Sequence, residues 1–309
     1  MLGLSWVIFL LVGCGDTTQD SGPPASEPPV FFEDFDGDEV APSVWKVAYR
    51  NWGGKTDSGE DYNGGVHPDN VSVESGMLVL TAHGDRYTGE PMGITSSGGQ
   101  RGDGTRVGAA IATEAYMGSG RYEIRMKVAD ALGVCSAPWT FHYRELYPGE
   151  AGYVPNPMGY TVLNHEIDME MPGRPGSAFT DISFSWALLN TWVGEQEDEY
   201  TSLHTDLGVA QNDGEFHTYR FDWRTGGSGV EPEVAFYVDD VLVTTSTTHV
   251  PTAAGRLWLG AWFPKEWAGD PDFESAQMVV DWVRVTPFHD SGDEFVPETY
   301  PDDGWAESL

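Results

Sequence analysis

The chain is poor in positive charge, in cysteine and in long apolar runs. Its 309 residues carry 16 Lys and Arg against 49 Asp and Glu, a formal charge of −33. Only Lys46, Lys55, Lys127 and Lys265 are lysines. A field of that sign repels nucleic acid and anionic headgroups, so nucleic acid is not an expected partner. Two cysteines, Cys14 and Cys135, cannot build a disulfide framework. No run of about ten or more residues sustains the i, i+3, i+4 apolar period of a packed helix, which disfavours βαβ layers and their nucleotide crevices. No period of 20 to 50 residues points to a propeller or solenoid. Paired zinc-ligand spacing, a Gly-x-Ser-x-Gly elbow and a phosphate loop are also missing. What is present is core material, 40% hydrophobic and 13% aromatic, with 38 Gly and 20 Pro for turns. That composition suits many short strands.

The apolar run from Trp6 to Val12 is too short for a membrane anchor and ends in Leu11-Val12-Gly13-Cys14. This resembles a bacterial lipobox, although no Lys or Arg precedes the run. The resemblance implies a signal peptide over 1–13, lipid on Cys14 and a flexible Ser/Pro/acid tether over 14–30. A plain secretory peptide is the alternative; export is expected either way, with the lipid as the only link to a membrane. Cys135 then has no disulfide partner and reads as a small buried side chain.

Residues 31–287 read as one domain of short strands, and 288–309 as an acidic surface tail. From Arg121 to Val128, Tyr122, Ile124, Met126 and Val128 alternate with Arg121, Glu123, Arg125 and Lys127, the pattern of a half-buried strand. Asn70 to Ala82 predicts a hairpin about Ser75-Gly76, Val234 to Thr245 another about Asp239-Asp240, and Gln277 to Thr286 a closing strand. The expected fold is all-β, a sandwich of two antiparallel sheets.

One segment stands out chemically. In His165-Glu166-Ile167-Asp168-Met169-Glu170-Met171 the apolar residues take one parity and the acids the other. A strand here buries Ile167, Met169 and Met171 and projects three carboxylates from its opposite face. Glu195, Glu197 and Glu199 share the spacing, but Gln196 and Asp198 lie between them, so that segment reads as a solvated loop. The outer acids of the first triple are about 13 Å apart at the backbone, a gap that inward-leaning side chains narrow toward what attack on one sugar ring requires. Asp168 between them splits their pKa values, giving an ionised acid and a protonated one. Parity alone does not say which glutamate does which. A solvated edge strand and a cation site are the competing readings. His165 has core parity and reads as structural. Among 12 tryptophans, Trp139, Trp192, Trp262 and Trp267 stand near Gly, Pro or charge and are candidates to stack on sugar; singly, each reads equally as core.

These motifs resemble glycoside hydrolase family 16, which includes laminarinases, lichenases, agarases and carrageenases. The likeness extends from Phe31-Phe32-Glu33-Asp34-Phe35 through Gly120–Lys127 and Glu166-Ile167-Asp168-Met169-Glu170. It continues in Phe216–Trp223, Phe236-Tyr237-Val238-Asp239 and Val280–Val285. It implies a β-jelly roll with a sugar cleft on its concave face, and retaining hydrolysis with Glu166 as nucleophile, Glu170 as general acid/base and Asp168 as helper. The implied substrate is a β-1,3- or β-1,3/1,4-glucan, the implied state a monomer. No cofactor is needed for catalysis; a structural calcium is implied at positions matching Glu33, Gly76 and Asp281. Ala110 and Ala112 stand where lichenase-like members carry Glu and Arg, and hold no sugar hydroxyl. The rivals are hydrolysis of a galactan of the agar or carrageenan type, transglycosylation, and a sugar-binding module without catalysis. A sulfated galactan would need basic residues such as Arg144 or Arg174 in the cleft.

Overall fold

A computed structural model describes residues 31–50, 64–93, 106–196, 198–264 and 267–294. Cys14, the tether and Glu197 lie outside the described residues. The strands are β1 (Phe31–Glu33), β2 (Trp45–Val47), β3 (Val71–Val73), β4 (Leu78–His83) and β5 (Ala109–Met117). There follow β6 (Gly120–Lys127), β7 (Cys135–Leu146), β8 (Thr161–Glu170), β9 (Trp186–Trp192) and β10 (Tyr200–Asp206). The last five are β11 (His217–Arg224), β12 (Glu233–Val238), β13 (Val241–Ser246), β14 (Gly255–Trp262) and β15 (Ser275–Pro287). Among the described residues the one helical element is a 3-10 turn at Pro68–Asn70.

The strands form two antiparallel sheets. The back sheet runs β13-β12-β11-β6-β15-β4-β3 with β1 on β15, and the front sheet β10-β9-β8-β7-β14-β5-β2. This is the all-β jelly-roll sandwich expected. Alternation assigns each strand its inner face. Tyr122, Ile124 and Met126 of β6 and Tyr219, Phe221 and Trp223 of β11 meet Ile167 and Met169 of β8 and Leu257 and Leu259 of β14 in one buried core. Both expected hairpins form. Ser75 and Gly76 have φ of 55° and 73°, Asp239 and Asp240 of 48° and 63°, the paired left-handed residues of a two-residue turn matched to strand twist.

The first residues after β15 are tied to the body. Asp293 accepts hydrogen bonds from the Ser119 amide at 3.0 Å and from the Ser119 and Thr225 hydroxyls at 2.9 and 2.8 Å. Asp290 pairs with Arg224 at 2.9 Å. Residues 288–294 therefore close the open end of β6 and β11; residues 295–309 lie outside the described part.

A second apolar cluster lies on the outer face of the front sheet. Ala48, Val66, Ala110, Ala112 and Trp258 are buried there, with Trp139, Phe141 and Trp262 packed against them. Apolar side chains on both faces make the front sheet rigid beneath whatever binds it.

Candidate active site

β8 pairs with β7 (Trp139 opposite Asp168, Phe141 opposite Glu166) and with β9 (Asn190 opposite Asp168, Trp192 opposite Glu166). Central in the sheet and locked by Ile167 and Met169 below, it aims Glu166, Asp168 and Glu170 from the outer face. They line a cleft of about 220 Å³ with Arg50, Trp139, Phe141, Trp258 and Trp262. Asp168 is 5% exposed and Glu170 9%, while Glu166 keeps more of its surface open to the cleft.

Each acid has a defined donor. The Asn164 amide donates to Glu166 Oε2 at 3.0 Å, Trp192 Nε1 to Asp168 Oδ2 at 2.8 Å, and the Asn190 amide to Glu170 Oε2 at 2.9 Å. Burial, then the charge of Asp168, pushes Glu166 well above the ordinary carboxylate range; the Asn164 bond opposes this. Glu170 is raised in the same way by burial and Asp168, against Asn190 and the Arg174 charge. Burial lifts Asp168 to about 6, while hydrogen bonds from Trp192, Glu166 and Asn190 favour its ionised form. Three carboxyls in this space do not carry three charges at neutral pH, so protons stay on the group. That supplies a proton donor beside a nucleophile.

The sequence-predicted tryptophans divide. Trp139 and Trp262 line the cleft with the acids. Trp192 flanks it, its N–H committed to Asp168 and its ring stacked on Tyr200 at 4.2 Å. Trp267 stands edge-on to Trp262 at 6.0 Å and is outside the residues lining the cleft. Phe141, Trp258, Arg50, Asn164 and Asn190 were not anticipated. Strand parity with Trp139 and Trp192 carried a signal for Phe141 and Asn190; nothing in the sequence brought Arg50 to the acids.

Trp258 is 3% exposed and covers Ala112, its partner in register. Trp139 stacks on it at 5.4 Å and 18°. The two small alanines thus leave room for the indole pair. Gly260 completes the seat: a Cβ there would fall 2.9 Å from Trp139 ring carbon Cζ3 and 3.4 Å from the Ala110 Cβ.

His165 is structural, as its parity suggested. Its Nδ1 accepts from the Thr252 and Ala253 amides at 3.2 and 2.9 Å, and burial lowers it to about 4. Cys135 is buried, and burial with the Glu170 and Asp168 charges pushes its thiol up, away from the reactive thiolate. Arg144 is paired with Glu150 at 2.9 Å. Arg174 is held by the rings of Phe179 and Trp267 at 4.9 and 5.9 Å.

The side chains at the expected calcium positions are engaged within the protein. Glu33 spends its oxygens on the Phe35 amide (2.9 Å) and the Trp45 indole N–H (3.3 Å), and Asp281 is bound by the Arg125 guanidinium. Gly76 adds only a turn backbone. Among the described residues no group of three His, Cys, Asp or Glu could hold a metal. A carboxylate paired with arginine is a weaker ligand for a hard cation, so an ion here would compete with Arg125 for Asp281.

Comparison with known proteins agrees with the geometry. A β-glucanase of Acetivibrio thermocellus is 28% identical over 261 residues, 83% of this chain and 61% of the relative. The chain thus spans about three fifths of that protein. A β-glucanase of Rhodothermus marinus is 26% identical over 305 residues, covering 91% of this chain and 93% of the relative. The fold is shared with a β-1,3-1,4-glucanase (lichenase) from a mouse hindgut metagenome, with TM-score 0.57, 22% identity, and coverage of 84% of this chain and 99% of that one. It is shared too with the laminarinase catalytic domain of Thermotoga maritima, with TM-score 0.55, 22% identity, and coverage of 83% and 96%. The family model for glycosyl hydrolases family 16 matches residues 58–284, a span that contains the acid strand and most of both sheets, and the chain belongs to that family.

Proposed function

We propose that the chain is a retaining, endo-acting hydrolase of a β-linked glucan with β-1,3 or mixed β-1,3/1,4 linkages. The observation that carries this is the set of three acids on one strand beside an indole-lined cleft; the β-glucanase relatives support the substrate class. In the first step Glu166 attacks the anomeric carbon while Glu170 gives its proton to the departing glycosidic oxygen. Glu166 passes the proton that it shares with Asp168 to that carboxylate as it attacks, and the freed Glu166 carboxylate forms the new C–O bond. In the second step Glu170, now ionised, takes a proton from water, which attacks the anomeric carbon and returns Glu166 as a carboxylate. An open cleft with aromatic walls accommodates a chain interior.

The experiment is incubation of the protein with laminarin, lichenan, agarose and xyloglucan, followed by sizing of products. Oligosaccharides of mixed length from laminarin or lichenan are expected. Products from agarose alone would replace the glucan reading with the galactan one, and retention of glycan without new reducing ends would favour a binding module. Export, with lipid on Cys14, belongs to the same proposal and is supported by the run from Trp6 to Cys14.

The indole pair gives a second expectation. Gly260→Ala displaces the Trp139 ring, so KM for the polymer should rise several-fold while kcat changes little. Initial-rate kinetics check this; an unchanged KM would remove Trp139 from substrate binding.

A further inference from the structure

The acid Glu170 has two oxygens, and only a proton on the one facing the substrate is useful. Glu170 Oε2 accepts from Asn190 Nδ2 at 2.9 Å. An oxygen receiving a hydrogen bond from an amide NH2 does not also carry a hydrogen pointed at that donor. The bond therefore favours Oε1 for the acid proton, provided the Asn190 amide keeps its NH2 end toward Glu170.

Its surroundings determine that orientation. Asn190 is 6% exposed and sits in a cross-strand row between Asp168 of β8 and Ser202 of β10. The Ser202 hydroxyl donates to Asn190 Oδ1 at 2.7 Å. On the other side Asn190 favours the ionised form of Asp168. A reversed amide would turn Oδ1 toward two carboxyl groups and its NH2 toward Ser202. It would also offer Glu170 an acceptor that captures the proton on Oε2, away from the glycosidic oxygen.

We propose that Ser202 and Asn190 form a positioning relay that fixes the acid proton of Glu170 on Oε1, so that Ser202, at the exposed rim of the sheet, sets the efficiency of leaving-group protonation. This deepens the hydrolase reading and rests on it. The relay acts through Glu170 alone, and the demand on Glu170 in the first step depends on the leaving group. A sugar hydroxyl needs the proton; a dinitrophenolate does not.

The test compares kcat/KM of wild type, Ser202→Ala and Ser202→Thr on the β-glucan found active in the polysaccharide panel and on a 2,4-dinitrophenyl β-glucan oligosaccharide. For Ser202→Ala the structure predicts about a tenfold loss on the polymer, less than a twofold change on the aryl glycoside, and recovery in Ser202→Thr. Asn190→Asp, nearly isosteric, should give a larger loss on the polymer and an alkaline pH limb moved upward, because a third acid beside Glu170 holds its proton more tightly. Equal losses on both substrates, or no loss on the polymer, would overturn the relay while wild-type activity leaves the hydrolase reading standing. A wild type inert on both would overturn the reading, and the relay with it.

Discussion

Glu166→Gln should lower turnover of β-glucan by about four orders of magnitude or more, the scale seen when a covalent nucleophile is removed. The amide occupies the same volume and still meets Asn164, so the cleft keeps its shape. It cannot form the glycosyl ester. Glu170→Ala should fail differently. Its first step remains accessible with a dinitrophenyl leaving group, and its second, lacking a base, should be accelerated by azide to give a β-glycosyl azide. Kinetics of both variants with and without azide check the assignment. Rescue of the position 166 variant with retention, and none of the position 170 variant, would exchange the two roles.

The second large effect is on stability and reverses the usual direction for an active-site substitution. Asp168 ionises near 6 in the folded protein against 3.8 for the free side chain. A raised carboxylate pKa means that the fold disfavours the charged form. The cost is absent below about pH 4, grows as pH rises through 6, and is complete above it. Asp168→Asn should abolish that cost while still accepting the Trp192 N–H, and should be more stable than wild type at pH 7 yet no more stable at pH 4. Its activity should fall about a hundredfold, because an amide cannot hold the proton shared with Glu166. Urea denaturation of both proteins at the two pH values measures this. A variant less stable than wild type at pH 7 would show that hydrogen bonding to the Asp168 carboxylate outweighs its desolvation.

The acid strand was legible because one local rule decides it. Ile167 and Met169 must enter the core, and a period of two then sends Glu166, Asp168 and Glu170 the other way. The hairpins at Ser75-Gly76 and Asp239-Asp240 were legible for the same reason, since turn chemistry is local. What escaped depends on register between distant segments. Asn190 reaches Glu170, and Ser202 reaches Asn190, only because β9 pairs with β8 and β10 with β9 at particular offsets. Arg50 reaches the cleft from the segment after edge strand β2, where it bridges to Val66, and Trp258 becomes a wall because Ala110, Ala112 and Gly260 make room for the indole pair. Trp192 was read as a sugar-stacking candidate; that its N–H serves Asp168 depends on the β8–β9 register. Calcium was carried over from a resemblance, and the partners of those positions, Arg125 on Asp281 above all, depend on pairing between distant segments that the sequence does not display.

On the proposed mechanism one strand holds a nucleophile and an acid/base on the same face for a double displacement. Proton NMR of the reducing-end anomer during early cleavage of laminarin or lichenan tests it most directly. The β-anomer should appear first and mutarotate to the α-anomer afterwards; initial release of the α-anomer would rule out double displacement.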